Sequence, residues 1–80
     1  MKLKIGLLEH INEDKTIVIY DILNNKYFNL NETASIVYSN IDEPLATIVE
    51  LISRDFHIDN LDISDDIISI IEYLKDNLFE

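Results

Sequence analysis

The sequence predicts an α+β fold with a three-stranded antiparallel sheet at the N-terminus followed by three α-helices. Two observations predict it. β-Branched and aromatic residues concentrate in the first thirty positions, whereas the remainder reads as helices with acidic faces. The charge divides at the same place: residues 1–30 carry four lysines against four acids, and residues 31–80 carry two bases against twelve acids. Strands followed by helices, rather than strands alternating with them, indicate α+β organisation. Eighty residues are expected to form one domain, residues 1–80.

Lys2–Leu8 is expected to be the first strand, with His10–Asp14 as a connecting loop. Thr16–Ile22 has the β-branched composition of a strand, and Tyr27–Leu30 is the next. Between them, Asn24-Asn25 suits a two-residue type I′ turn, since asparagine tolerates positive φ. Asn31 is an N-cap, and Glu32 in the first turn complements the helix dipole. The first helix, Glu32–Ser39, places Ala34, Ile36, Val37 and Tyr38 at packing positions. Asn40–Pro44 breaks it, and Pro44 suits the first position of the second helix, behind Asp42 or Glu43. That helix, Leu45–Asp55, has Leu45, Ile48, Val49, Ile52 and Phe56 at i, i+3/i+4 spacing. His57–Leu61 is expected as a loop, and Asp62 or Ser64 as the cap of a last helix ending near Asn77.

The last helix carries more apolar surface than one core contact needs. On a helical wheel Ile63, Ile67, Ile71, Leu74 and Leu78 fill an arc of about 80°. Ile70 and Tyr73 lie beyond one shoulder, Ile68 and Phe79 beyond the other, extending the arc to about 240°. The excess is either further burial within the domain or surface kept for a partner. If strand order follows the chain, Tyr27–Leu30 is also a sheet edge. An open edge accepts a further strand through backbone hydrogen bonds. An edge strand beside an over-apolar helix makes a plausible peptide groove.

Composition excludes several functions. With no cysteine, there are no disulfides, thiol nucleophiles or zinc knuckles. One glycine cannot build a glycine-rich phosphate loop. A domain of this size buries only about 60–65% of its unfolded surface, too little for a deep active site. No signal-peptide or membrane-spanning apolar run occurs, so a cytoplasmic protein without a membrane partner is expected. His10 and His57 have no ligand-spaced companion. The Asp59, Asp62, Asp65, Asp66 cluster lacks the glycine and glutamate of a calcium loop and reads as helix-start acids. The serines have no oxyanion or base context. No catalytic residue, metal site or cofactor is expected. Twelve acids against two bases in the helical half oppose phosphate, so a nucleic-acid partner is not expected. Ser64 has the wrong neighbours for the attachment serine of an acidic carrier protein.

The segment Lys26-Tyr27-Phe28-Asn29-Leu30-Asn31-Glu32-Thr33-Ala34-Ser35-Ile36-Val37-Tyr38 resembles the PqqD-like family, the RiPP recognition elements. In that family a strand and turn lead into Tyr/Phe-x-Leu-Asn-Glu-x-Ala/Gly and an apolar helix. Thr47–Ile52 followed by Phe56 is similar to the family's second helix. Asp66-Ile67-Ile68-Ser69-Ile70-Ile71-Glu72-Tyr73-Leu74 is similar to its third. The resemblance runs from Ile19 to Leu78. The chain departs from the pattern at Asn40–Pro44, where the family commonly has Asp-Gly and then a threonine opening the second helix.

The resemblance implies a winged-helix-like fold and a non-catalytic binding role. Such domains hold the leader of a precursor peptide as a strand beside strand 3, against helix 3, and present it to a separate enzyme. Carried over by position, the backbones of Tyr27, Phe28 and Asn29 pair with the leader. Ile67, Ile68, Ile70, Ile71 and Leu74 border the apolar pocket, some of them facing the core. Asp66 binds a leader amide or basic side chain, or is a first-turn helix acid. The implied partners are a precursor-peptide leader and a maturation enzyme: a radical-SAM enzyme, a leader peptidase or a cyclase. The rival reading is a non-catalytic adaptor or antitoxin-like interaction module.

Overall fold

The computed structural model describes residues 1–80. Its elements are β1 (Leu7–Ile11), β2 (Ile17–Asp21), β3 (Lys26–Leu30), α1 (Glu32–Ser39), α2 (Leu45–Phe56) and α3 (Asn60–Leu78). The sheet is antiparallel in the order β1-β2-β3, so the α+β expectation holds and β3 is an edge. One face of β2 supplies buried Ile17 and Ile19, which meet Leu30 of β3, Val37 of α1, Ile48 and Ile52 of α2, and Ile67, Leu74 and Leu78 of α3 in one core. A buried hydroxyl joins sheet to helix: Ser35 Oγ accepts from the Ile17 amide at 3.0 Å and donates to the Leu30 carbonyl at 3.2 Å.

The first strand is displaced from its expected position. The chain turns at Lys4–Leu7, where Gly6 takes φ +90°, a conformation that costs glycine little. Leu3 therefore leaves the sheet and bridges to Phe79, while His10 and Ile11, expected in a loop, complete β1. The β1–β2 turn is tighter than His10–Asp14. The Asn12 amide donates to the Thr16 carbonyl at 2.8 Å and Lys15 takes φ 71°.

The β2–β3 turn is also not the expected two-residue form. Asp21 pairs with Lys26, leaving a four-residue loop in which only Asn25 of the two asparagines has positive φ. Asp21 organises it: its carboxylate accepts from the Asn24 amide at 3.1 Å and from Asn24 Nδ2 at 2.8 Å. The side chain of Asn24 thus serves the loop as a donor rather than its backbone as a left-handed residue.

Two of the three helices start or cap differently than expected. Asn31 caps α1 as expected, accepting from the Ala34 amide at 2.8 Å. Pro44 is the N-cap of α2 rather than its first helical residue, with ψ 148° and no side-chain cap. α3 begins at Asn60, capped by Asp59, which accepts from the Leu61 amide at 2.9 Å. Asp62 and Ser64 lie inside the helix. Leu61 is almost fully exposed, off the stripe that begins at Ile63, so the stripe does not mark the start at Asn60. At the other end Phe79, expected on the surplus arc, is buried with its ring 5.6 Å from Tyr38. The Lys4 amide to Leu78 carbonyl and Glu80 amide to Lys2 carbonyl bonds hold it there.

Candidate functional site

The free edge of β3 follows from the ladder. The Ile22 amide donates to the Gly6 carbonyl and the Asn12 amide to the Thr16 carbonyl, in register with the β1–β2 pairing. Even-numbered residues of β2 therefore bond to β1. Its odd-numbered residues face Leu30, Phe28 and Lys26 of β3, the Ile17 amide reaching the Leu30 carbonyl through Ser35 Oγ, because successive residues of a strand alternate the direction of their hydrogen bonds. Tyr27 and Asn29 are left with amide and carbonyl groups directed to the open edge. Phe28 is not: its backbone is engaged with β2, and its contribution on the edge is its side chain.

Side chains alternate accordingly. Tyr27 turns to the outer face and stacks on Tyr20, ring centroids 4.6 Å apart. Lys26, Phe28 and Leu30 turn to the inner face, where Lys26 Nζ stands 5.0 Å over the Phe28 ring.

Beside this edge lies a cleft of about 300 Å³ between β3 and α3, lined by Asn29, Leu30, Asn31, Ala34, Ser69, Ile70, Tyr73 and Leu74. α1 closes it from below through Ala34. Further along the same strand and helix, toward the β2–β3 turn, lies a separate hollow of about 220 Å³, lined by Phe28 and Asn77 with Lys4, Ile5, Asp21, Leu23 and Lys26. The open strand edge thus runs beside an apolar cleft and then a more polar hollow, which together form a trough between β3 and α3.

The structure sorts the expected site residues into separate places. Asn29, Ile70 and Leu74 line the cleft; Leu74 is fully buried and forms its floor. Ile67 is 1% exposed and belongs to the core. Ile68 and Ile71 lie on the far side of α3, lining a different hollow with Leu45 and Ile48 of α2. Asp66 is exposed and continues the cleft-facing stripe of α3, one turn before Ile70. The surplus arc of α3 therefore splits into a β3-facing side (Ile70, Tyr73) and an α2-facing side (Ile68, Ile71), with Phe79 buried.

Tyr73, 52% exposed, is a cleft residue, on the shoulder of the surplus arc that it shares with Ile70, though it is not among the positions the family resemblance carries over. Its spacing from Asp66 and Ile70, i+7 and i+3, was the available signal. Lys4 and Lys26 carry none, because only the tertiary fold brings them to the end of this trough.

No buried side-chain nitrogen or oxygen lacks a hydrogen-bond partner. Hydrogen bonds from Asn24, foremost from its side chain, hold the Asp21 carboxyl below the usual carboxylate range, with Lys26 adding a smaller effect. Thr16 does the same for Asp14, first through its hydroxyl. Burial pushes the Tyr38 phenol up, with Glu9 reinforcing it. No cluster of three or more histidine, aspartate or glutamate side chains is placed to hold a metal ion. No helix is long and apolar enough to cross a membrane.

Comparison with known proteins agrees with this geometry. The family model of coenzyme PQQ synthesis protein D (PqqD) matches residues 16–78. A solved structure described as lasso peptide synthetase B1 complexed with the leader peptide superposes with TM-score 0.75 at 23% identity, covering 95% of this chain and 91% of that one. A second, TbiB1 in complex with the TbiA(beta) leader peptide, also gives TM-score 0.75, at 21% identity, covering 98% and 94%. At such identities the likeness is one of fold. No curated protein matches the chain.

Proposed function

The chain belongs to the PqqD family, and we propose that its β3–α3 trough binds the leader of a ribosomally synthesised precursor peptide and presents that peptide to a separate enzyme. The observation that carries the reading is the unpaired edge of β3 beside an apolar cleft. Two similarly folded proteins have been solved with leader peptides, which supports the same occupant here.

In this reading the leader adds as a fourth strand. Its backbone bonds to the Tyr27 and Asn29 amide and carbonyl groups, and one apolar side chain enters between Leu30, Ile70 and Tyr73. Strand addition supplies affinity through the backbone and selection through the pocket. Residues 1–80 act as one domain with no chemistry of its own, working in the cytoplasm. The enzyme it serves is a radical-SAM enzyme, a leader peptidase or a cyclase.

Titration of the labelled protein with synthetic leaders, taken from short reading frames beside its gene, tests this by NMR. Binding at micromolar concentration or tighter is expected, with shifts confined to Tyr27–Leu30 and the Asp66–Asn77 face of α3. Shifts elsewhere, or none with any leader, overturn it and favour a general adaptor.

A further inference from the structure

The trough is electrically asymmetric along its length. One end is net basic: Lys4 and Lys26, two of only six lysines and arginines in the chain, line a pocket with Asn77 and one carboxylate, Asp21, whose oxygens accept from Asn24, while Lys4 Nζ donates to the Asp76 carbonyl at 2.7 Å. The other end is acidic. Asp66 lies on the stripe formed by Ile70, Tyr73 and Asn77, at i+4, i+7 and i+11, and Asp62 lies one turn further back. Residues at these spacings share a helix face.

Resting on the leader-binding reading, we propose that the trough selects a peptide of opposite polarity: a basic side chain at the Asp66 end, an acidic one at the Lys4/Lys26 end, and an apolar one between. α3 rises about 16 Å from Asp66 to Asn77, the length of about five residues of extended chain. Side chains on one face of a strand recur every second residue, so the two charges stand four or six residues apart. A one-residue slip turns all three selected side chains away from α3. The charges therefore set register, which backbone pairing alone leaves open. The excess of acid over the helical half favours cationic peptides in general; the paired lysines make this site discriminate by position instead.

The test selects binders to the full chain from a library of randomised twelve-residue peptides. The wild-type protein is expected to enrich a base and an acid four or six positions apart, with an apolar residue between. Each exposed ion pair contributes roughly two- to fivefold in affinity. The double variant Asp66→Lys, Lys26→Glu is expected to enrich the reversed order. The neutral pair Asp66→Asn, Lys26→Gln, milder for the fold, is expected to weaken the charge preference, Lys4 and Asp62 remaining, and to keep the apolar one. Binders that shift Tyr27 and Asn29 resonances yet show no charge order overturn this inference and leave leader binding intact. Binders that map elsewhere overturn both.

Discussion

At the scale of single residues, the apolar positions of α3 differ in what they support. Ile67 and Leu74 are at most 1% exposed, so truncating either to alanine is expected to cost about 2–5 kcal/mol of stability. Tyr73 and Ile68 are 52% and 37% exposed, and alanine at either is expected to cost less than about 1 kcal/mol. The two part company in binding. Tyr73 lines the cleft beside β3 and Ile68 the hollow beside α2, so Tyr73→Ala is expected to weaken leader binding and Ile68→Ala to leave it unchanged. Urea melts and peptide titration of the four variants check this; equal binding losses for Y73A and I68A would remove the cleft assignment. Ser35 is the polar counterpart: replacing its buried hydroxyl by alanine leaves the Ile17 amide unpaired and is expected to cost about 1–3 kcal/mol.

At the scale of elements, the β2–β3 turn aims the edge strand, and Asp21 holds the turn. Its folded pKa lies below the unfolded one. Its contribution is therefore present at neutral pH and lost as pH falls through the folded value, below the ordinary aspartate pKa of about 4. Asp21→Asn is expected to lower stability at pH 7 and to flatten the loss of stability in acid, measured by urea melts between pH 7 and pH 2.5. An acid limb as steep as that of the wild type would assign the effect to other carboxylates, Asp14 foremost. Legibility in the sequence also varied by element. β2, β3, α1 and α2 were readable because composition and 3.6-residue spacing are local signals. The start of β1 was not, because a single glycine at positive φ moved it. The start of α3 was not, because its apolar stripe begins only at Ile63, while Asn60, Leu61 and Asp62 lie off it. The strand edge and over-apolar helix were readable, but which isoleucines face β3 depends on how α3 rolls against α2.

At the scale of the whole molecule, the net charge of −10 is expected to act on encounter, and the trough, in the proposed binding mode, on register. Field effects of this kind alter association rates more than dissociation rates, and ions screen them over about 10 Å at 0.1 M salt and about 3 Å at 1 M. A leader of net positive charge is therefore expected to associate more slowly as NaCl rises from 50 to 500 mM, with dissociation changing less. An uncharged leader sharing the apolar residue should show neither effect. Stopped-flow or surface-binding kinetics over that range separate the two constants. Association independent of salt for the cationic leader would mean that the acids of α2 and α3 serve solubility and helix starts alone. A salt response confined to dissociation would place the attraction in the bound contacts at Asp66, Lys4 and Lys26 rather than in the field of the whole domain.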